Sequence, residues 1–262
     1  MFSPQTRRSY GRNPILEVVC QYRFPTILKI ESESPAAFQD AIRDKFPRYE
    51  CRREQPAPRL TLQPGQMPKA EQLPAVNNHC FSSLDGTARV NLTRDFIALT
   101  VQKYDRWENF AGLLDKVLCE FIKLYAPAAF DRIGLRYVNA VSRKALGLEE
   151  MAWRELIHQR YLGALADEIV SETAFSRCSQ DLEMALPGGC RLKLHAGPGL
   201  VRRGSDEGDQ ETKFVLDLDI SMTGNLPVSA AAGALSTLHA HSGSIFENAI
   251  TDTLRDAMEP EE

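Results

Sequence analysis

The sequence predicts an α+β protein of two sheet-and-helix halves with mainly antiparallel strands, and three observations carry that expectation. Short β-branched and apolar runs recur between turn residues, with the Asp85-Gly86 pair as the strongest hairpin signal. Two long stretches, 107–125 and 230–258, instead repeat apolar residues at helical spacing. The length of 262 residues, 43% hydrophobic and 25% charged, suits one large domain or two small ones.

Residues 13–24 are apolar and β-branched and read as a strand, with Pro14 at its mouth and Pro25 at its exit. Ser34-Pro35 opens a helix over 36–46, where Phe38, Ile42 and Phe46 recur every four residues on one face. The Pro- and Gln-rich stretch 54–78 reads as a long connection with a short strand at 59–62. Segments 80–84, 89–93 and 96–104 form a three-strand meander. The stripe Phe110, Leu113, Leu114, Val117, Leu118 and Phe121 makes 107–125 an amphipathic helix, ended by Pro127. A strand over 131–142 follows, and the order of these elements predicts a ferredoxin-like first half, 1–145.

In the second half, 146–262, the pattern gives polar helical segments over 148–170 and strands at 175–186, 190–195 and 213–222. A closing helix covers 230–258, with Gly243 as the point where it would break. Three strands followed by a long helix repeat the order of 80–125. That is the order of an internal duplication, although residue identity between the halves does not establish one.

Composition narrows the function classes. No apolar run approaches the ~20 residues of a membrane span, and the polar, basic start of the chain carries no secretory pattern. The six cysteines are scattered, without a CxxC pair, and fit reduced thiols. A cytoplasmic protein without membrane contact is the expectation. Residues 1–145 carry 22 Lys and Arg against 15 Asp and Glu, net +7, and residues 146–262 carry 9 against 20, net −11. Such asymmetry suits an anion-binding half or two mutually attractive surfaces.

Alternation along 131–142 puts Ile133, Leu135, Tyr137 and Asn139 on one face and Arg132, Gly134 and Arg136 on the other. In the first strand Glu17, Gln21 and Arg23 lie opposite the apolar set. A ferredoxin-like sheet makes these two strands antiparallel neighbours, so Glu17 is expected to pair with Arg136 or Arg132 across the sheet. Arg23, Arg132 and Arg136, with Asn139, are the candidate ligand or phosphate contacts; Gly134 would let the ligand approach closely. Asp217 and Asp219, two apart on one strand, are the weak candidates for a metal; solvent-face carboxylates are far commoner. No serine elbow, phosphate loop or His pair at ligand spacing appears, so no metal, cofactor or catalytic residue is assigned.

The motifs Pro14-x-x-Glu17…Arg23-Phe24-Pro25, Arg132-x-Gly134-Leu135-Arg136-Tyr137-x-Asn139 and Phe246-Glu247 carry a resemblance that spans nearly the whole chain. Together they resemble a sporadically distributed family of uncharacterised bacterial and archaeal proteins of about this length. The resemblance implies no reaction and no cofactor. Its patchy distribution is that of accessory genes, such as defence or toxin–antitoxin islands. Two expectations follow. One is a non-enzymatic binding or assembly module with a protein partner or self-association. The other is an RNA- or DNA-binding or RNA-processing protein that uses the basic half.

Overall fold

The computed structural model describes residues 8–55, 57, 59–61, 67, 69–201 and 210–261. In chain order the strands are β1 (Ser9–Tyr10), β2 (Ile15–Arg23), β3 (Arg48–Glu54), β4 (Arg59–Thr61), β5 (Lys69–Glu71), β6 (Val76–Ser82), β7 (Ala88–Leu92), β8 (Phe96–Val101), β9 (Phe130–Val141), β10 (Gln180–Leu186), β11 (Cys190–Leu200), β12 (Thr212–Leu226) and β13 (Pro260–Glu261). The helices are α1 (Leu28–Ser32), α2 (Ala36–Ile42), α3 (Trp107–Tyr125), α4 (Arg143–Leu146), α5 (Trp153–Leu156), α6 (Ala231–Glu247) and α7 (Asp252–Ala257). The glycine- and charge-rich loop tip at 202–209 lies outside the described residues.

Nine strands form one antiparallel sheet in the order β10-β11-β12-β9-β2-β8-β7-β6-β3. Both halves of the sequence therefore share a single sheet, joined where β12 pairs with β9. The first half contributes six strands, two more than a four-stranded ferredoxin-like unit. As expected, β2 and β9 are antiparallel neighbours, with Tyr22 opposite Ile133 and Val18 opposite Tyr137. Outward from that central pair, each side presents a meander in reverse order, β8-β7-β6 on one flank and β12-β11-β10 on the other. Each meander is followed in sequence by a long helix, α3 or α6.

Alternation makes the sheet two-faced. Val18, Cys20 and Tyr22 of β2, Leu135 and Tyr137 of β9, Leu216 and Leu218 of β12 and Leu192 of β11 are all buried on one face. Helices cover that face. Phe121 of α3 packs on Phe24 at 4.8 Å between ring centroids, and Phe38 of α2 meets Phe81 at 5.4 Å. Side chains of this size contribute about 1.5–3 kcal/mol each when fully buried. The opposite face carries Gln21, Arg23, Arg132, Arg136, Asp217 and Asp219, half-buried or exposed.

Four expectations need correction. Residues 48–54 form strand β3, which the sequence does not predict because all seven residues are exposed and show no alternation of polarity. Pro35 rather than Ser34 takes the N-cap position of α2, which ends at Ile42. The polar stretch after β9 forms only short turns such as α4 and α5 rather than sustained helices. The closing helix breaks at 248–251 and not at Gly243: Thr251 accepts a hydrogen bond from the Leu254 amide and restarts the chain as α7.

The Asp85-Gly86 turn between β6 and β7 yields a pH prediction. Hydrogen bonds from the Ser83 hydroxyl and from the Thr87 amide and hydroxyl lower the Asp85 pKa from 3.8 to about 2. A lowered folded-state pKa contributes stability above the ordinary value, lost as pH falls through 3.8 toward 2. Carboxyl NMR titration should show Asp85 with a midpoint near 2, and Ser83→Ala with Thr87→Val should return it toward 3.8. An unshifted wild-type midpoint would refute the assigned hydrogen bonds.

Candidate functional site

A cavity of about 190 Å³ opens between the start of α3, the middle of α6 and the central strands β2 and β9. From α6 it takes His239, Ser242, Gly243 and Phe246, the i, i+3, i+4, i+7 face that the helix turns toward the sheet. From β9 it takes Tyr137 and Asn139, which alternation places on the helix-covered face. Trp107 stands at the first turn of α3, and Tyr10 closes the rim from β1. Tyr10, Tyr104, Trp107, Tyr137 and Phe246 give the wall an aromatic part, and Asp105, Arg106, Glu108 and Glu247 a charged one.

Asn139 is the most telling residue in this wall. It is 2% exposed, and its Nδ2 donates to the Leu216 carbonyl of β12 at 3.0 Å. That bond fixes the amide orientation, and Oδ1 accepts no hydrogen bond from the described residues.

His239 and Glu247 are engaged. The Nδ1 of His239 lies 2.9 Å from the Tyr137 hydroxyl, and its ring stacks on Trp107 at 3.6 Å and 16°. Glu247, 3% exposed, accepts from the Tyr10 hydroxyl at 2.7 Å, and its second oxygen receives Arg255 Nε at 3.4 Å. Burial first, and then the neighbouring carboxylate, push the Tyr10 phenol well above its ordinary pKa, so it remains a neutral donor. This network ties β1 and α7 to the end of α6 and so holds the cavity rim.

The remaining sequence candidates lie on the opposite face of the sheet. Arg132 Nη2 donates to both oxygens of Asp219, at 2.7 and 2.9 Å, and Nη1 reaches Gln21 Oε1 at 3.3 Å. The guanidinium thereby spans three strands, from β12 over β9 to β2. Gly134 makes that path available, since a Cβ there would lie 2.7 Å from Arg132 Cζ. Arg136 binds Asp217 through Nε at 2.8 Å and Nη2 at 2.5 Å. Arg23 is exposed and directly opposite Arg132.

Two expectations are corrected here. Arg136 pairs with Asp217, not with Glu17. A register shift between Ile15 and Glu17 sets Glu17 opposite Val138, where it receives Gln102 Nε2 at 3.5 Å. The phosphate candidates Arg132 and Arg136 and the metal candidates Asp219 and Asp217 are each other's partners. Among the described residues no group of three or more His, Cys, Asp or Glu side chains is placed to hold a metal. Asn139 is therefore separated from the arginines by the thickness of the sheet.

The cavity contains residues that sequence reasoning left unassigned: Tyr10, Trp107, His239 and Ser242. Glu247 gave one signal, as the single carboxylate of α6. No protein-family model matches the chain, and no curated protein matches it.

The Arg132–Gly134 arrangement predicts a coupled pair of variants. Arg132→Ala should destabilise by about 1–3 kcal/mol, because Asp219 and Gln21 lose a half-buried partner. Gly134→Ala should displace the same guanidinium and cost a similar amount. The double variant should cost little more than either alone in denaturant unfolding. Additive costs would show that Gly134 serves some other purpose.

Proposed function

We propose that the protein is a non-enzymatic binding module whose ligand site is the cavity beneath α6. The observation that supports this reading is the Asn139 amide in the cavity wall, held by Leu216 through Nδ2, with an Oδ1 that has no donor among the described residues. A site that offers a fixed acceptor favours a ligand with an N–H or O–H donor and disfavours an analogue without one. The aromatic part of the wall adds an apolar surface on which a small ligand would lose water.

Acid–base chemistry is the weaker reading, because the buried carboxylate and the imidazole of the wall are tied to structural partners. Glu247 is held by Tyr10 and Arg255, and His239 by Tyr137 and Trp107. RNA or DNA binding by the basic half is likewise weakened. Two of its three proposed phosphate contacts, Arg132 and Arg136, are already neutralised by Asp219 and Asp217. Assembly with a protein partner, supported by the opposite charges of the two halves, an accessory defence or toxin–antitoxin setting, supported by the family resemblance, and a cytoplasmic location, supported by the scattered cysteines, belong to the same proposal. Among the described residues no helix is long and apolar enough to cross a membrane.

The test is a titration of the full chain with a library of small amides, amidines, phenols and planar heterocycles, read by Trp107 fluorescence and thermal shift. Donor-bearing compounds should quench saturably and raise Tm, and Asn139→Val should weaken them roughly tenfold, or about 1.4 kcal/mol. Ile15→Trp, at the lining position directly opposite Asn139, should fill the cavity and abolish the thermal shift. Binding that ignores both variants, turnover of any compound, or a library without a saturating member would overturn the proposal.

A further inference from the structure

We infer that the protein forms a two-fold homodimer through antiparallel pairing of its β3 edge strands. Strand β3 is the terminal strand of the nine-stranded sheet, and each of its residues is exposed. An edge of this kind presents a row of backbone donors and acceptors to any strand that matches it. The question is which strand does.

The sequence of β3, Arg-Tyr-Glu-Cys-Arg-Arg-Glu, matches itself. A two-fold axis normal to the sheet keeps the helix layers of both copies on the same side. It also sets residues equidistant from the central position opposite one another. With Cys51 at the centre, Arg48 faces Glu54 of the second copy and Glu50 faces Arg52, each pair occurring twice. Tyr49 faces Arg53, and Cys51 faces Cys51. Centring on Glu50 instead would oppose Arg48 to Arg52, and centring on Arg52 would oppose Glu50 to Glu54. Both neighbouring registers place like charges together, which is destabilising across a strand pair. Centring on Tyr49 would again oppose Arg48 to Glu50 but overlaps only three of the seven residues, so charge and length together favour the register on Cys51.

Among the described residues the Arg48 and Arg53 side chains have no ion-pair or hydrogen-bond partner. Glu54 accepts from Asn78 Nδ2 at 2.8 Å through one carboxylate oxygen and keeps the other for Arg48 of the second copy. Arg52 and Glu50 pair within their own strand at 2.8 Å, both exposed, and this contact can be exchanged for its equivalent in the second copy. The other edge of the sheet is a poorer match. Strand β10 offers Asp181 and Glu183, which are already held by His195, Arg191 and Lys193. A head-to-tail contact of β3 with β10 would also propagate without closing, whereas the self-pairing closes at two copies.

A seven-residue edge is small beside a standard interface of about 1,600 Å², so the dimer should form in the micromolar range and dissociate on dilution. Sedimentation velocity of the reduced full-length chain, from low to several hundred micromolar, should show a monomer–dimer equilibrium. Glu50→Arg should abolish the dimer, and Glu50→Arg combined with Arg52→Glu should restore it. Copper phenanthroline should join the dimer through Cys51: two thiols give up two protons and two electrons to the oxidant and form one disulfide. Cys51→Ser should remove this cross-link, and Cys119→Ser, at the other exposed cysteine, should leave it intact. A monomer at the highest concentration, a dimer indifferent to Glu50→Arg, or open-ended polymers would each overturn the inference. None of these readouts depends on occupancy of the cavity.

Discussion

The constraint on which the molecule depends is the antiparallel pairing of β2 with β9. Residues more than a hundred positions apart are brought side by side there, and each of the two strands then carries one flank of the sheet. The pairing also sets which side chains share a face. With Tyr22 opposite Ile133 and Cys20 opposite Leu135, the apolar sets of both strands point the same way. A slip of one residue would send either set to the polar side. The buried face is therefore continuous across the seam, and α3 and α6 can cover it from the two flanks.

The seam also explains the Arg-x-Gly-Leu-Arg-Tyr-x-Asn strand in physical terms. Its two faces have different tasks. On the open face, Gly134 is the gap through which the Arg132 guanidinium lies across β9 to bind Asp219 on β12 and Gln21 on β2. On the covered face, Tyr137 and Asn139 line the cavity and bind His239 of α6 and the Leu216 carbonyl. A single strand thus cross-links both flanks of the sheet on one side and shapes the cavity on the other. Its arginines act as internal clamps, and its amide is the group left with bonding capacity to offer.

Much of this was legible in the sequence, for identifiable reasons. The meander β6-β7-β8, the helix α3 and the strands β2 and β9 follow from alternation, helical spacing and a strong Asp-Gly turn, all local signals. The motif placed Asn139 on the covered face because period-two alternation admits no other outcome. Pairings between distant strands were not legible. Nothing local shows that β12 lies beside β9, so Asp217 and Asp219 read as free carboxylates and Glu17 read as the partner of an arginine. An arginine that reaches four residues along its neighbour also defeats any rule based on directly opposed positions. Strand β3 escaped notice because an edge strand exposed on both faces has no hydrophobic period to detect.

That same absence gives the edge its meaning. A strand that buries nothing contributes little to the core, and its sequence is free of the packing demands that fix Val18 or Leu135. Natural edges with charged side chains normally repel other strands. Repulsion, however, depends on what the approaching strand carries. An edge whose charges alternate in sign about a central residue repels copies of itself shifted to the neighbouring registers, yet accepts the one register that overlaps its full length. Arg48, Glu50, Arg52 and Glu54 alternate in this way about Cys51. The charges that protect the edge from general aggregation are then the same ones that would define a single, closed assembly, while the cavity on the far side of the seam stays open to a ligand.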